Sequence, residues 1–264
     1  MSFFNSKKEL SFGSYGWRGN INDLVFGLDE QQIKFFKNIV EKHNVRTVLD
    51  VSCGNGELAV LFARWGKSVT LLVPEPLTIK EINLLKGVPS GFPLEMCLGD
   101  MRDISSIYRK RCGLIVCLKN SLSRLLSEED IWGTLAQMYL KLEPGGMLVI
   151  HTLNYDRLLG GDAYLMPVPD GHYQGLRIEL FLKRGKGSGN ASLIFKVFPD
   201  DVLSGQEKEF IFPVRPVLKK ELNLWLTELG FEKIENYDWY DEKTYTSNSS
   251  HRITVAYRPG ATAV

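Results

Sequence analysis

The residues best placed to do chemistry fall in one stretch, 48–66, VLDVSCGNGELAVLFARWG. Apolar residues lead into Asp50. A turn of small residues follows, Ser52-Cys53-Gly54-Asn55-Gly56, and then an amphipathic run from Glu57 to Trp65. The order reads as strand, tight turn, helix. Glycines in such a turn let the backbone approach a ligand closely, and the start of a helix offers N–H groups without intrahelical partners. Gly54-Asn55-Gly56-Glu57-Leu58-Ala59 also satisfies the G-x-G-x-x-G/A pattern of dinucleotide sites. Asp50 argues against that use. A carboxylate at the strand end would face a phosphate with like charge, whereas it suits a ligand that carries an ammonium group.

The elements that must hold this segment follow from hydrophobic periodicity. A helix begins at Asp29, with Ile33, Phe35, Phe36, Ile39 and Val40 at helical spacing. Strands are expected over 47–51, 68–73, 94–98, 114–118 and 147–152, and helices over 56–65, 77–85 and 130–142. Strands alternating with helices predict a parallel sheet covered on both faces. The pattern changes after Asn154. Residues 155–216 lack helical periodicity and show β-like runs at 176–182, 192–198 and 208–214, separated by Gly-, Pro- and Asp-bearing turns. They read as a small antiparallel β cap inserted after the fifth strand. A helix over 219–229, stopped by Gly230, and strands over 231–237 and 252–258 follow. The division is then 1–154 with 217–264 as the main domain and 155–216 as the insertion.

Several blocks in order carry a family resemblance. Residues 50–56 resemble the first motif of class I S-adenosylmethionine-dependent methyltransferases, D-x-G-x-G-x-G, with Ser52 in place of the first glycine. GDMRDI at 99–104 resembles the loop after the third strand. CLKNSLSRLLSEEDI at 117–131 is similar to the fourth-strand segment, which in the glycine/sarcosine N-methyltransferase-like group reads G-N-S-x-x-H-L. LKLEPGGMLVIHTLNYDRLL at 140–159 and RPVLKKELNLWLTELGFEKIENY at 215–237 resemble the fifth-strand and last-helix segments of that group. The resemblance implies an α/β, Rossmann-like fold with a seven-stranded, mostly parallel sheet in the order 3-2-1-4-5-7-6, the last strand antiparallel. It implies S-adenosyl-L-methionine as cofactor and a small-molecule methyl acceptor, an amine such as glycine or sarcosine.

Carried over residue by residue, the resemblance puts Asp50, Ser52, Gly54 and Gly56 around the cofactor. Asp100 and the Met101 backbone would meet the adenine, and Leu118 and Asn120 the methionine moiety. Val73 stands where the family usually has an acid for the ribose, and Glu75, two residues on, is its candidate substitute. Lys119 replaces the glycine before Asn120, Arg124 replaces the histidine, and Gly113 replaces an aspartate that often opens the fourth strand. For the acceptor, the candidates are Asn154, Tyr155, Arg215 and Tyr237, followed by Arg157, His172, Tyr173, Arg177 and Tyr240, with Trp17 and Arg18 as a lid. No catalytic residue is assigned, because methyl transfer from a sulfonium needs alignment more than acid–base help.

Composition narrows the rest. With 264 residues, 44% hydrophobic and 24% charged, the chain has the make-up of a globular protein. A net charge of +1 without a long basic run gives no nucleic-acid surface. No stretch is apolar enough to span a bilayer and the N-terminal residues lack a signal-like apolar core, so a cytoplasmic location is expected. Cys53, Cys97, Cys112 and Cys117 form no C-x-x-C pair and read as reduced structural thiols, with no metal site expected. Oligomeric state is not legible. A dinucleotide-dependent oxidoreductase and a non-enzymatic binding module on the same fold remain alternatives.

Overall fold

Runs rich in Val, Ile and Leu form the strands of a central sheet, and the amphipathic segments between them cover it. The computed structural model describes residues 28–52, 54–74, 91–159, 163–166, 172–173, 176–185, 189–199 and 207–260. The elements that bear on the site begin with α1 (Glu30–Lys42), β1 (Thr47–Asp50), α2 (Glu57–Arg64), β2 (Ser68–Val73) and β3 (Leu94–Leu98). Next come α3 (Ile104–Ile107), β4 (Cys112–Cys117), α4 (Glu128–Lys141), β5 (Leu142–Leu153) and α5 (Tyr155–Leu158). Then follow β6 (Ala163–Met166), β7 (His172–Tyr173), β8 (Leu176–Arg184), β9 (Ala191–Pro199) and β10 (Lys208–Val214). The last are α6 (Lys219–Glu228), β11 (Glu232–Tyr237) and β12 (His251–Tyr257).

Seven strands form one sheet in the order β11-β12-β5-β4-β1-β2-β3. In core-strand terms this is 3-2-1-4-5-7-6, as the resemblance implied. The β3, β2, β1, β4 and β5 strands pair in parallel, while β12 is antiparallel to both β5 and β11. Alternate residues serve two layers. Val48, Val116, Val149, Ile253 and Val255 pack with Phe35, Phe36 and Phe62 of α1 and α2. Leu49, Ile115, Cys117 and Ile150 pack with Leu135 and Met138 of α4 and with Leu222 and Trp225 of α6. Helices α1 and α4 start on side-chain caps: Asp29 accepts from Gln32 N at 2.7 Å and Ser127 from Asp130 N at 3.0 Å, each satisfying an otherwise orphan donor.

The strand expected at 147–152 is longer. Leu142 already pairs with Cys112, and the register shifts between Cys112 and Leu114. Glu143-Pro144-Gly145-Gly146 therefore stays within β5 as an irregularity, held where Gly145 N donates to the carbonyls of Arg258 and Pro259 at 3.1 and 3.0 Å. Pro-Gly-Gly looks like a turn in the sequence because these anchoring bonds come from the far end of the chain. Cys97, Cys112 and Cys117 are free thiols, and burial pushes the latter two up to about 12, consistent with unreactive packing groups. Cys53, the helix expected at 77–85 and residues 1–27 lie outside the described residues.

A second, antiparallel sheet contains β10-β9-β8-β6, with β7 also on β8. The three runs read from the sequence are its main strands; β6 and β7 are short additions that alternation was too brief to reveal. Its inward side chains alternate as β geometry requires: Ile178, Leu180 and Leu182 on β8, and Leu193, Phe195 and Val197 on β9. They pack on Leu153, Tyr155 and Leu158, so this sheet sits directly on the carboxyl end of β5. Phe195 is 2% exposed. Truncating Phe195→Ala is expected to lower stability by about 3–5 kcal/mol in chemical denaturation, through lost burial and the cavity left behind.

Candidate functional site

At the carboxyl end of β1 the chain turns over a buried acid. Asp50 is 3% exposed. Its Oδ1 accepts from the Ser52 backbone N–H at 2.8 Å and from the Ser52 hydroxyl at 2.7 Å, which fixes the carboxylate's orientation. Gly54 and Gly56 then take left-handed backbone conformations, φ 52° and 80°, that residues with a side chain rarely adopt. Gly56 caps α2 without a side-chain bond of its own, and the first helical N–H, that of Glu57, donates to Asn55 Oδ1 at 3.2 Å. Asp50, Ser52 and Gly54, with Asn55, Glu57 and Leu58, line a narrow cleft with a cavity volume of about 20 Å³. Leu28 and Gln32 close it from the α1 side, and Leu118 and Lys119 from the end of β4.

The structure brings Asp50, Ser52, Gly54 and Leu118 together in this cleft. Asn120 stands behind it. Its amide donates to the Tyr155 hydroxyl at 2.8 Å, accepts from Leu153 N at 3.2 Å, and its backbone N–H donates to His151 O at 3.0 Å. Asn120 thus ties the end of β4 to the end of β5, and Tyr155, fully buried, is part of that tie. Val73 is buried at the end of β2 and packs into the core. Glu75 lies outside the described residues. Asp100 forms a two-pronged pair with Arg102, Nε to Oδ1 at 2.8 Å and Nη2 to Oδ2 at 3.2 Å, and this bonding holds its carboxyl below the usual range. Met101 opens the following short turn and is half-buried.

The acceptor-side candidates scatter. Asn154 caps α5 and donates to Ser249 O at 2.8 Å, anchoring the approach to β12. Arg215 bonds Glu128 and Glu221 and stacks on Trp225 at 5.1 Å, away from the cleft. Tyr237 lines a separate groove between α1 and β11–β12 with Lys42, Lys233 and Glu235. Tyr240, by contrast, is buried in the core against Phe35 and Phe36. The side chains of His172, Tyr173 and Arg177 lie outside the described residues, as do Trp17 and Arg18. Among the described residues no group of three or more His, Cys, Asp or Glu is placed to hold a metal ion, and no helix is long and apolar enough to cross a membrane.

No family model matches the sequence. The glycine/sarcosine N-methyltransferase of Aphanothece halophytica is 28% identical over 232 residues, covering 84% of this chain and 80% of that protein. The glycine/sarcosine/dimethylglycine N-methyltransferase of Actinopolyspora halophila is 26% identical over 232 residues; the match takes in 86% of this chain but spans only 38% of that longer protein. Among solved structures, an S-adenosylmethionine-dependent methyltransferase from Clostridium acetobutylicum superposes with a TM-score of 0.74 at 15% identity, covering 94% of this chain and all, 100%, of that one. The chain has the class I S-adenosylmethionine-dependent methyltransferase fold.

Within this methyltransferase fold the sequence reading missed a buried polar chain. His151 of β5 is 1% exposed; its Nε2 lies 3.1 Å from His251 Nδ1, and its Nδ1 lies 3.2 Å from the Tyr240 hydroxyl. Trp239 packs edge-on to His151, 5.2 Å between centroids, and donates to Asp29 at 2.9 Å. One tautomer set satisfies the line: Tyr240 donates to His151, and His151 donates to His251. A histidine within the apolar run of β5 and a glutamine, Gln32, on the apolar face of α1 were the available sequence signals. Burial lowers the pKa of both imidazoles, for His151 with added repulsion from His251 and Lys119, and for His251 to about 4. Both stay neutral when folded, whereas unfolded histidines protonate near pH 6.5. The unfolded state therefore takes up protons first as the pH falls, so stability is flat above neutrality and declines below it. Denaturation at about pH 7.5 and about pH 5 should differ by about 2 kcal/mol through His251 alone, and His251→Gln should remove that part of the difference.

Proposed function

We propose that this chain transfers a methyl group from S-adenosylmethionine to a small-molecule acceptor, an amine being the class to which its relatives point. The observation that carries the reading is Asp50: a buried carboxylate, oriented by Ser52, on the wall of a cleft at the carboxyl end of the central strand. Such a group matches a ligand ammonium and repels a phosphate. The left-handed glycines before α2 allow close approach of backbone to ligand. The donor set therefore fits S-adenosylmethionine better than a dinucleotide.

When bound, S-adenosylmethionine supplies an electrophilic methyl group on a sulfonium, which is already a good leaving group. The protein's task is then binding, alignment and exclusion of water. Asp50 would hold the amino-acid end, with Leu118 and Asn120 beside it. Gly54 and Gly56 would let the adenosyl part lie against the turn. Val73, Glu75, Asp100 and Met101 are the candidates for the far, nucleoside side. In this reading Asp100 keeps Arg102 as its partner or exchanges it on binding. The second sheet, β6 to β10 within residues 155–216, caps the acceptor side. Support for this comes from its packing on Leu153 and Tyr155, immediately after the strand end on which an acceptor would converge.

Calorimetry with S-adenosylmethionine and S-adenosylhomocysteine, followed by transfer of labelled methyl to a panel of small amines, tests the reading. Asp50→Ala should weaken adenosyl-ligand binding by more than about tenfold, since a bond to a charged group contributes roughly 1.5–3 kcal/mol. Unchanged affinity would remove Asp50 from the site.

A further inference from the structure

We propose that Lys119 is a second anchor at the amino-acid end of the adenosyl ligand, holding its carboxylate while Asp50 holds its ammonium. The inference rests on the cofactor reading above and adds a residue that the methyltransferase resemblance does not supply, because the corresponding position there is a glycine.

Lys119 lines the same cleft as Asp50. The two come from adjacent strands: Asp50 pairs with Val116 in the β1–β4 ladder, and Lys119 follows three positions later. Among the described lining residues the acids are Asp50 and Glu57, and Lys119 is the one lysine or arginine. An α-amino acid end carries both signs, so a wall offering only carboxylates would hold half of it and repel the rest. Lys119 provides the complementary charge within the cleft.

Backbone geometry points the same way. Lys119 and Asn120 take left-handed conformations in succession, φ 54° and 60°. Asparagine tolerates this region and glycine is at ease in it, but a long side chain is strained there. A glycine at this position would form the same turn without strain. Strain of this kind persists where the surroundings over-determine the backbone. Here they do: Asn120 is locked by its bonds to His151, Leu153 and Tyr155. The turn is thus rigid, and the residue before Asn120 leaves it at a set place.

The test compares two ligands in calorimetry, S-adenosylhomocysteine and its decarboxylated analogue, which keeps the ammonium and the nucleoside. Lys119→Met should weaken S-adenosylhomocysteine about tenfold, the loss of one charge-assisted contact, and change the analogue by less than about twofold. Lys119→Gly, which relieves the backbone, should show the same selective loss, and Lys119→Arg should retain most of the affinity. Equal losses on both ligands would mean that Lys119 only shapes the cleft or balances Asp50, and no loss would mean that it faces elsewhere; either overturns the proposal. If the wild-type protein binds neither ligand, the cofactor reading itself fails, and Lys119 falls with it.

Discussion

A carboxylate taken out of water must be hydrogen-bonded, and the organisation of this end of the molecule follows from that requirement at Asp50. Ser52 meets it with two bonds to one oxygen. To do so the chain must fold back within two residues of leaving β1, and the small residues that allow the turn lead into left-handed glycines and then α2. The sheet order adds the space. Between β1 and its neighbours β2 and β4 the chain's connections diverge, and α/β sheets hold their ligands in the crevice at such a switch point. Acid, turn and crevice are one structural solution rather than three features that happen to coincide.

Two asparagines make that solution rigid. Asn120 joins the ends of β4 and β5, and Asn154 joins the end of β5 to the approach to β12. Each bond is worth only about 1 kcal/mol net, but each also saturates buried polar groups whose exposure to an apolar core would cost more. Residues that resemble site ligands by position can therefore be part of the frame. Asn154 and Tyr155 have their polar groups engaged with protein, and Arg215 is committed to Glu128 and Glu221.

The sheet order, the inserted antiparallel strands and the Asp50 turn were legible because they rest on local signals. Strand runs such as 68–73 and 94–98, the alternation on β8 and β9, and an acid followed by small residues all sit within a few positions of one another. What stayed hidden depends on distant partners. The β5 irregularity is held by carbonyls near residue 258. His151 and His251 are 100 positions apart and meet only through the antiparallel pairing of β12 with β5. Tyr237 lines a groove, while Tyr240, three residues on, is buried against His151. In the sequence Lys119 stands only as a replacement for the glycine before Asn120; its place in the cleft wall shows once the β4 turn is seen.

The inner position of β12 has a bearing on how the protein comes to be made. The strand that pairs with β5 is the one synthesised after the whole insertion, α6 and β11. Until it emerges, β5 is a bare sheet edge, and neither the imidazole pair nor the Asn154–Ser249 bond has its second half. A growing chain can assemble β1 to β5 early, but it carries an unpaired apolar edge through the translation of about a hundred further residues, the kind of exposed template that invites mispairing. Long-range closure of this sort is slow. The final strand thus acts as the seal on a sheet whose first five strands have been waiting for it.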